Sequence, residues 1–200
     1  MRKVWWRAAL GAVVLVFAVG AVAIAHGGGK KHGGLKAHLS GYQETPSIVS
    51  PATGRFKAKI NGDQIDYKLS YSAFTSPVHF AHIHLGQFGV AGGVAAFLCG
   101  GGGKPACPQG SGEVSGTIVA ADVQAIPAQG LVAGDIAALI DAIKHGVTYA
   151  NVHTDNFAGG EIRGQIGPGK GHGFYGQAVG HGSEGKGKHG HGHGHGHGND

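Results

Sequence analysis

The sequence predicts a mostly β domain, a sandwich or barrel of seven or eight short strands accompanied by one helix. Three observations point there. Apolar residues recur with period two through most of the central ~130 residues. Turn-forming Asn, Gly and Pro separate the alternating runs. A single segment switches to helical spacing.

Taken in order, the first strand candidate is Leu35–Leu39. In "GRFKAKI", Phe56, Ala58 and Ile60 fall on one face, and in "QIDYKLSY" so do Ile65, Tyr67, Leu69 and Tyr71. Asn61-Gly62 between these runs is a strong hairpin signal. Further strands are expected at Val78–Leu85, Val94–Leu98, Glu113–Ile118, Thr148–His153 and Glu161–Ile166. "GDIAALIDAIKHG" is the exception. Ile136, Leu139, Ile140 and Ile143 sit at i, i+3, i+4 and i+7, which predicts a helix over about 135–145, ended by Gly146.

The ends differ in kind from this centre. Arg2, Lys3 and Arg7 precede an apolar run from Ala8 to Ile24, and Ala23-Ile24-Ala25 is a small-x-small site. That order predicts a secretory signal peptide over residues 1–25, a mature chain beginning at His26, and an exported, periplasmic or cell-surface protein. The alternative is an uncleaved membrane anchor, although the run is a little short of the ~20 residues a spanning helix needs. Residues 26–34 read as a flexible lead-in. Residues 168–200 read as a disordered tail: from Gly167 onward there are 14 Gly and 7 His in 34 residues, leaving almost nothing to bury. The folded domain is therefore expected at 35–167, long enough for its own core. Without the signal segment 13 Lys and Arg face 11 Asp and Glu, a net charge of +2. With no basic, aromatic-interleaved patch besides, no nucleic-acid partner is expected.

Cys99 and Cys107 flank a glycine-rich loop, and in an exported chain they are expected to form a disulfide. No nucleophile elbow, phosphate loop, HExxH or dinucleotide fingerprint occurs, so no enzyme class is indicated. The chemistry-bearing residues are histidines. His82 and His84, two apart on a strand, point the same way while Ala81 and Ile83 face the core; His79 points opposite. With His153 at the end of a later strand, they could form one open metal site. The plainer reading is structural: His82 and His84 hydrogen-bond carbonyls at the entry to "GQFGVAGG", and His153 pins a hairpin turn. Glu161 and Arg163 share a face, read as a solvated ion pair. In the tail, His189, His191, His193, His195 and His197 alternate with glycine, a pattern suited to loose chelation of Cu, Zn or Ni.

"AHIHLGQFGVAGGV" together with "GVTYANVHTDNFAGGEIRGQI" resembles the CHRD domain, the chordin-type module found singly in exported bacterial proteins, and "LSGYQETPSIVSPATGRFKAKI" resembles its start. The resemblance covers about 35–167. It implies an immunoglobulin-like or Greek-key antiparallel sandwich or barrel, and a binding role toward an unidentified protein or extracellular ligand rather than a known activity. More faintly, the chain is similar to copper-zinc superoxide dismutase, which implies copper histidines at His82, His84 and His153. No fourth copper histidine, bridging histidine or zinc cluster matches, and the arginine near copper would have to be Arg163. Two functions follow as expectations: a non-enzymatic exported binding module whose tail chelates transition metals, or a copper-site redox protein.

Overall fold

The computed structural model describes residues 34–168; the expected signal peptide, most of the lead-in and the His-rich tail lie outside the described residues. Within them nine strands run in chain order: β1 Leu35–Ser40, β2 Thr53–Asn61, β3 Gln64–Ser72, β4 Val78–Leu85, β5 Gly93–Cys99 and β6 Gly112–Ile118. Helix α1 Ile136–Lys144 follows, then β7 Thr148–Thr154, β8 Ile162–Gln165 and the short β9 Gly167–Pro168. All pairings are antiparallel, in the order β5-β4-β7-β8-β1-β2-β3-β6, with β9 on β1. One sheet thus curls nearly into a barrel, the mostly β architecture that the alternation predicts.

The period-two runs become the inward face. In β2 and β3, Phe56, Ala58, Ile65, Tyr67, Leu69 and Tyr71 are buried, while their neighbours in sequence are more exposed. The turn differs in detail from the expected Asn-Gly pair. Asn61 pairs with Gln64, so the two-residue loop is Gly62-Asp63, with Gly62 at φ 63°. Asn61 closes the strand instead, its amide donating to Asp66. The end strands of the order, β5 and β6, are consecutive in sequence. The Tyr67 hydroxyl of β3 reaches across to donate to the Leu98 carbonyl of β5 at 2.7 Å.

α1 buries Ile136, Leu139, Ile140 and Ile143, the residues its spacing predicts. The Asp135 carboxylate accepts from the Ala138 amide at 2.9 Å, satisfying one otherwise unpaired donor of the first turn. Cys99 at the end of β5 is bonded to Cys107 in the following loop. Fully buried Phe56, Ile65, Leu69, Ile83, Leu98 and Ile162 fill the interior together with Leu139 and Ile143 of the helix.

β7 departs from simple alternation, because every one of its residues is buried. It lies between β4 and β8. Ala150 and Val152 belong to the core, while Tyr149, Asn151 and His153 face the other way. Loops close over that outer face, and the polar residues gathered beneath them make the candidate site.

Candidate metal centre

His82 and His84 lie on the outer face of β4, with Ala81 and Ile83 turned into the core, as alternation requires. β4 pairs with β7 in a register that sets Phe80 opposite His153, His82 opposite Asn151 and His84 opposite Tyr149. Antiparallel pairing therefore brings His153 beside the His82–His84 pair despite some 70 intervening residues. Each of the three offers a ring nitrogen, and those nitrogens all lie within 4.8 Å of one another. The group contains no carboxylate and no thiolate. The three side chains are on one side of the fold, the arrangement a shared site demands.

Hydrogen bonds fix the tautomers of two rings. His84 Nδ1 lies 2.9 Å from the Gly92 carbonyl, and His153 Nδ1 lies 3.0 Å from the Ala158 carbonyl. A carbonyl only accepts, so both Nδ1 atoms carry the proton and both Nε2 atoms present a lone pair. His82 Nδ1 stands 3.0 Å from His153 Nε2 and therefore donates to it. The Nε2 atoms of His82 and His84 are buried with no hydrogen-bond partner. A buried acceptor left unpaired is destabilising by about 1–3 kcal/mol. The structural expectation is met for two of the three: His84 and His153 hold the glycine-rich loop and the hairpin turn through backbone carbonyls, while His82 bonds His153 instead of a carbonyl. Only the Nε2 atoms of His82 and His84 are left without a partner.

The rings are held in a largely aromatic setting. Phe80 stacks on His82 at 5.8 Å, Phe97 meets His82 edge-on at 4.5 Å, and Tyr149 stacks on His84 at 4.8 Å with the planes 6° apart. Burial pushes His82 down to about 3, helped by the neighbouring His153 and His84, and pushes His84 down to about 4 against the raising effect of its bond to Gly92. His153 is lowered as well, again by burial. All three are neutral bases at pH 7, the form that binds a metal.

Behind Tyr149 lies Arg163, its guanidinium carbon 3.7 Å from the ring centroid. The expectation of a solvated Glu161–Arg163 pair is wrong: both are only 2% exposed, and their partners are different. Arg163 donates to Thr45 Oγ1 at 3.2 Å and to the Gln87 and Val90 carbonyls at 3.3 and 3.1 Å. Glu161 accepts from the hydroxyls of Ser50 and Thr154, each at 2.6 Å. Loops fold over this end of the sheet and bury what an open strand would expose. His79, by contrast, does point away and pairs with Asp155 near the surface.

The sequence alone did not mark out Glu44, Tyr149 or Asn151. Glu44 is buried with one carboxylate oxygen unpartnered, and desolvation raises it to about 7 although Arg163 pulls the other way. Asn151 packs so closely on Gly160, at φ 123°, that an added Cβ would lie 2.5 Å from its amide atoms. The signal for Tyr149 and Asn151 was available, since both alternate with His153 along "YANVH". Glu44 carried no such pattern; it sits in the "GYQETP" segment, far from the histidines in the chain.

The tail histidines His189, His191, His193, His195 and His197 are outside the described residues. No curated protein and no solved structure matches the chain. The sequence model of the CHRD domain matches residues 35–166, which spans every strand of the barrel except β9, and the chain belongs to the CHRD domain family.

Proposed function

We propose that this chain is an exported CHRD-type binding module, not an enzyme, that holds one transition-metal ion in the barrel at His82, His84 and His153. One observation carries the reading: three neutral imidazoles converge within 4.8 Å, with buried ring nitrogens unpartnered and two rings oriented by backbone carbonyls. Ligating histidines are typically oriented through their second nitrogen in this way. The observed separations close to metal-ligand distance by small ring movements. The tail histidines then act as a second, looser set of donors for Cu, Zn or Ni.

The alternative of a dismutase-like redox protein has less support. The arginine that such chemistry needs beside the metal would be Arg163, and Arg163 is buried behind the Tyr149 ring, bound to loop carbonyls.

The test is metal titration of the full chain against a variant carrying His84→Phe and His153→Phe. The wild type should bind one more ion than the variant, with the tail contribution common to both. Equal stoichiometry would overturn the reading. Export is checked separately: mass spectrometry of the protein from its native host should find His26 at the N-terminus, and a retained Met1 contradicts it.

A further inference from the structure

We infer that the three-histidine site selects a monovalent soft cation, Cu(I), over Zn(II) and Cu(II). The inference rests on the reading of His82, His84 and His153 as a metal site and adds the identity and oxidation state of the ion. It follows from the charge balance and walls of the site.

The ligand set carries no charge, since all three donors are neutral imidazoles and the group holds no carboxylate or thiolate. The histidines are only 6–8% exposed. The cost of moving an ion out of water grows with the square of its charge, so a divalent ion suffers about four times the penalty of a monovalent one. Divalent ions on three neutral imidazoles usually complete their shell with a water or an anion in an open fourth position. Here the rings of Phe80, Phe97 and Tyr149 pack against His82 and His84, so the histidines are walled by aromatic surface that offers an added anion little solvation. Cu(I), a closed-shell ion content with three donors, needs neither the extra ligand nor its charge.

The electrostatic setting works in the same direction. The Arg163 guanidinium lies one aromatic ring behind His84, on the far face of Tyr149. The carboxyl that acts on it is Glu44, which desolvation raises to about 7, so the positive charge is only partly neutralised. A nearby fixed cation penalises a divalent guest twice as strongly as a monovalent one.

The experiment uses the full chain with His189→Ser, His191→Ser, His193→Ser, His195→Ser and His197→Ser, to silence the main tail donors. Cu(I) is titrated without oxygen against bicinchoninate, and Zn(II) and Cu(II) against chromophoric chelators. A control carrying His84→Phe in addition defines what belongs to the barrel. The expected result is a His84-dependent Cu(I) site at least roughly 100-fold tighter than the corresponding Zn(II) and Cu(II) sites. Phe80, half-exposed and stacked on His82, provides the second variant. Phe80→Asp places a carboxylate at the rim and should narrow the Cu(I)/Zn(II) ratio by about tenfold or more. His84-dependent Zn(II) or Cu(II) binding as tight as Cu(I) overturns the inference while leaving a metal site in place. No His84-dependent binding of any ion overturns the metal site itself.

Discussion

Acidification should destabilise the metal-free domain by an amount the buried groups define. His82 and His84 fall from an ordinary value of 6.5 to about 3 and about 4 in the folded state. Between pH 6.5 and those values the unfolded chain binds more protons than the native one, so stability is full above 6.5 and is lost as pH falls. Going from pH 7 to 5 costs about 2 kcal/mol for each ring, roughly 4 kcal/mol for the two. Glu44 acts with the opposite sign. Its folded value is raised from 4.5 to about 7, so its contribution is full below 4.5 and is lost as pH rises toward 7. Over the same interval it returns roughly 2 kcal/mol, leaving a net loss of at least about 2 kcal/mol, to which His153, lowered by burial too, adds in the same direction.

The two contributions separate by mutation. Glu44→Gln keeps the shape and removes the opposing titration, so its loss from pH 7 to 5 should deepen to about 4 kcal/mol. Urea unfolding in the presence of a chelator, at pH 7, 6 and 5, reads both proteins directly. A Glu44→Gln profile no steeper than the wild type would refute the protonated, buried Glu44. A wild type and variant both flat over this range would refute the burial of neutral histidines beneath the loops.

Other expectations follow from single contacts. Reducing Cys99–Cys107, which closes a loop across a sequence separation of 8, should lower unfolding stability by about 2–3 kcal/mol in urea with and without reductant. Gly160→Ala forces a Cβ against the Asn151 amide at a positive φ and should lose about 1–3 kcal/mol, read by thermal unfolding. Arg163→Met leaves the Val90 carbonyl without its donor and the Gln87 carbonyl with only the Val90 amide; stability should fall by roughly 1–3 kcal/mol, and amide exchange in residues 86–92 should accelerate.

Much of the barrel was legible because its inward face obeys period two. Phe56 through Tyr71 alternate cleanly, and the i, i+3, i+4, i+7 spacing in α1 matches the residues it buries. The shared direction of His82 and His84 needs only strand geometry. That His153 joins them depends on β4 pairing with β7, a long-range choice that local pattern does not encode; residue type and a strand-end position made it a candidate without placing it. The misreading of Glu161 and Arg163 has a physical cause. Alternation tells which side of a sheet a residue faces, and takes the polar side to be wet. On β7 and β8 the polar side is dry, because the loops after β4 and β7 and the segment around Glu44 cover it.

That covering also explains why the site is built from loops as much as from strands. The strands fix where the three imidazoles stand, to the precision of a hydrogen-bonded ladder. The loops supply the Gly92 and Ala158 carbonyls that decide which nitrogen of His84 and His153 faces the centre. Arg163 in turn ties the first of these loops to β8 through Gln87 and Val90. Gly92 itself admits no side chain, since an added Cβ would lie 1.7 Å from the Leu85 carbonyl oxygen. A substitution there displaces the acceptor of His84 without touching a histidine. It therefore disturbs ligand orientation while the barrel beneath, held by its own core, remains folded.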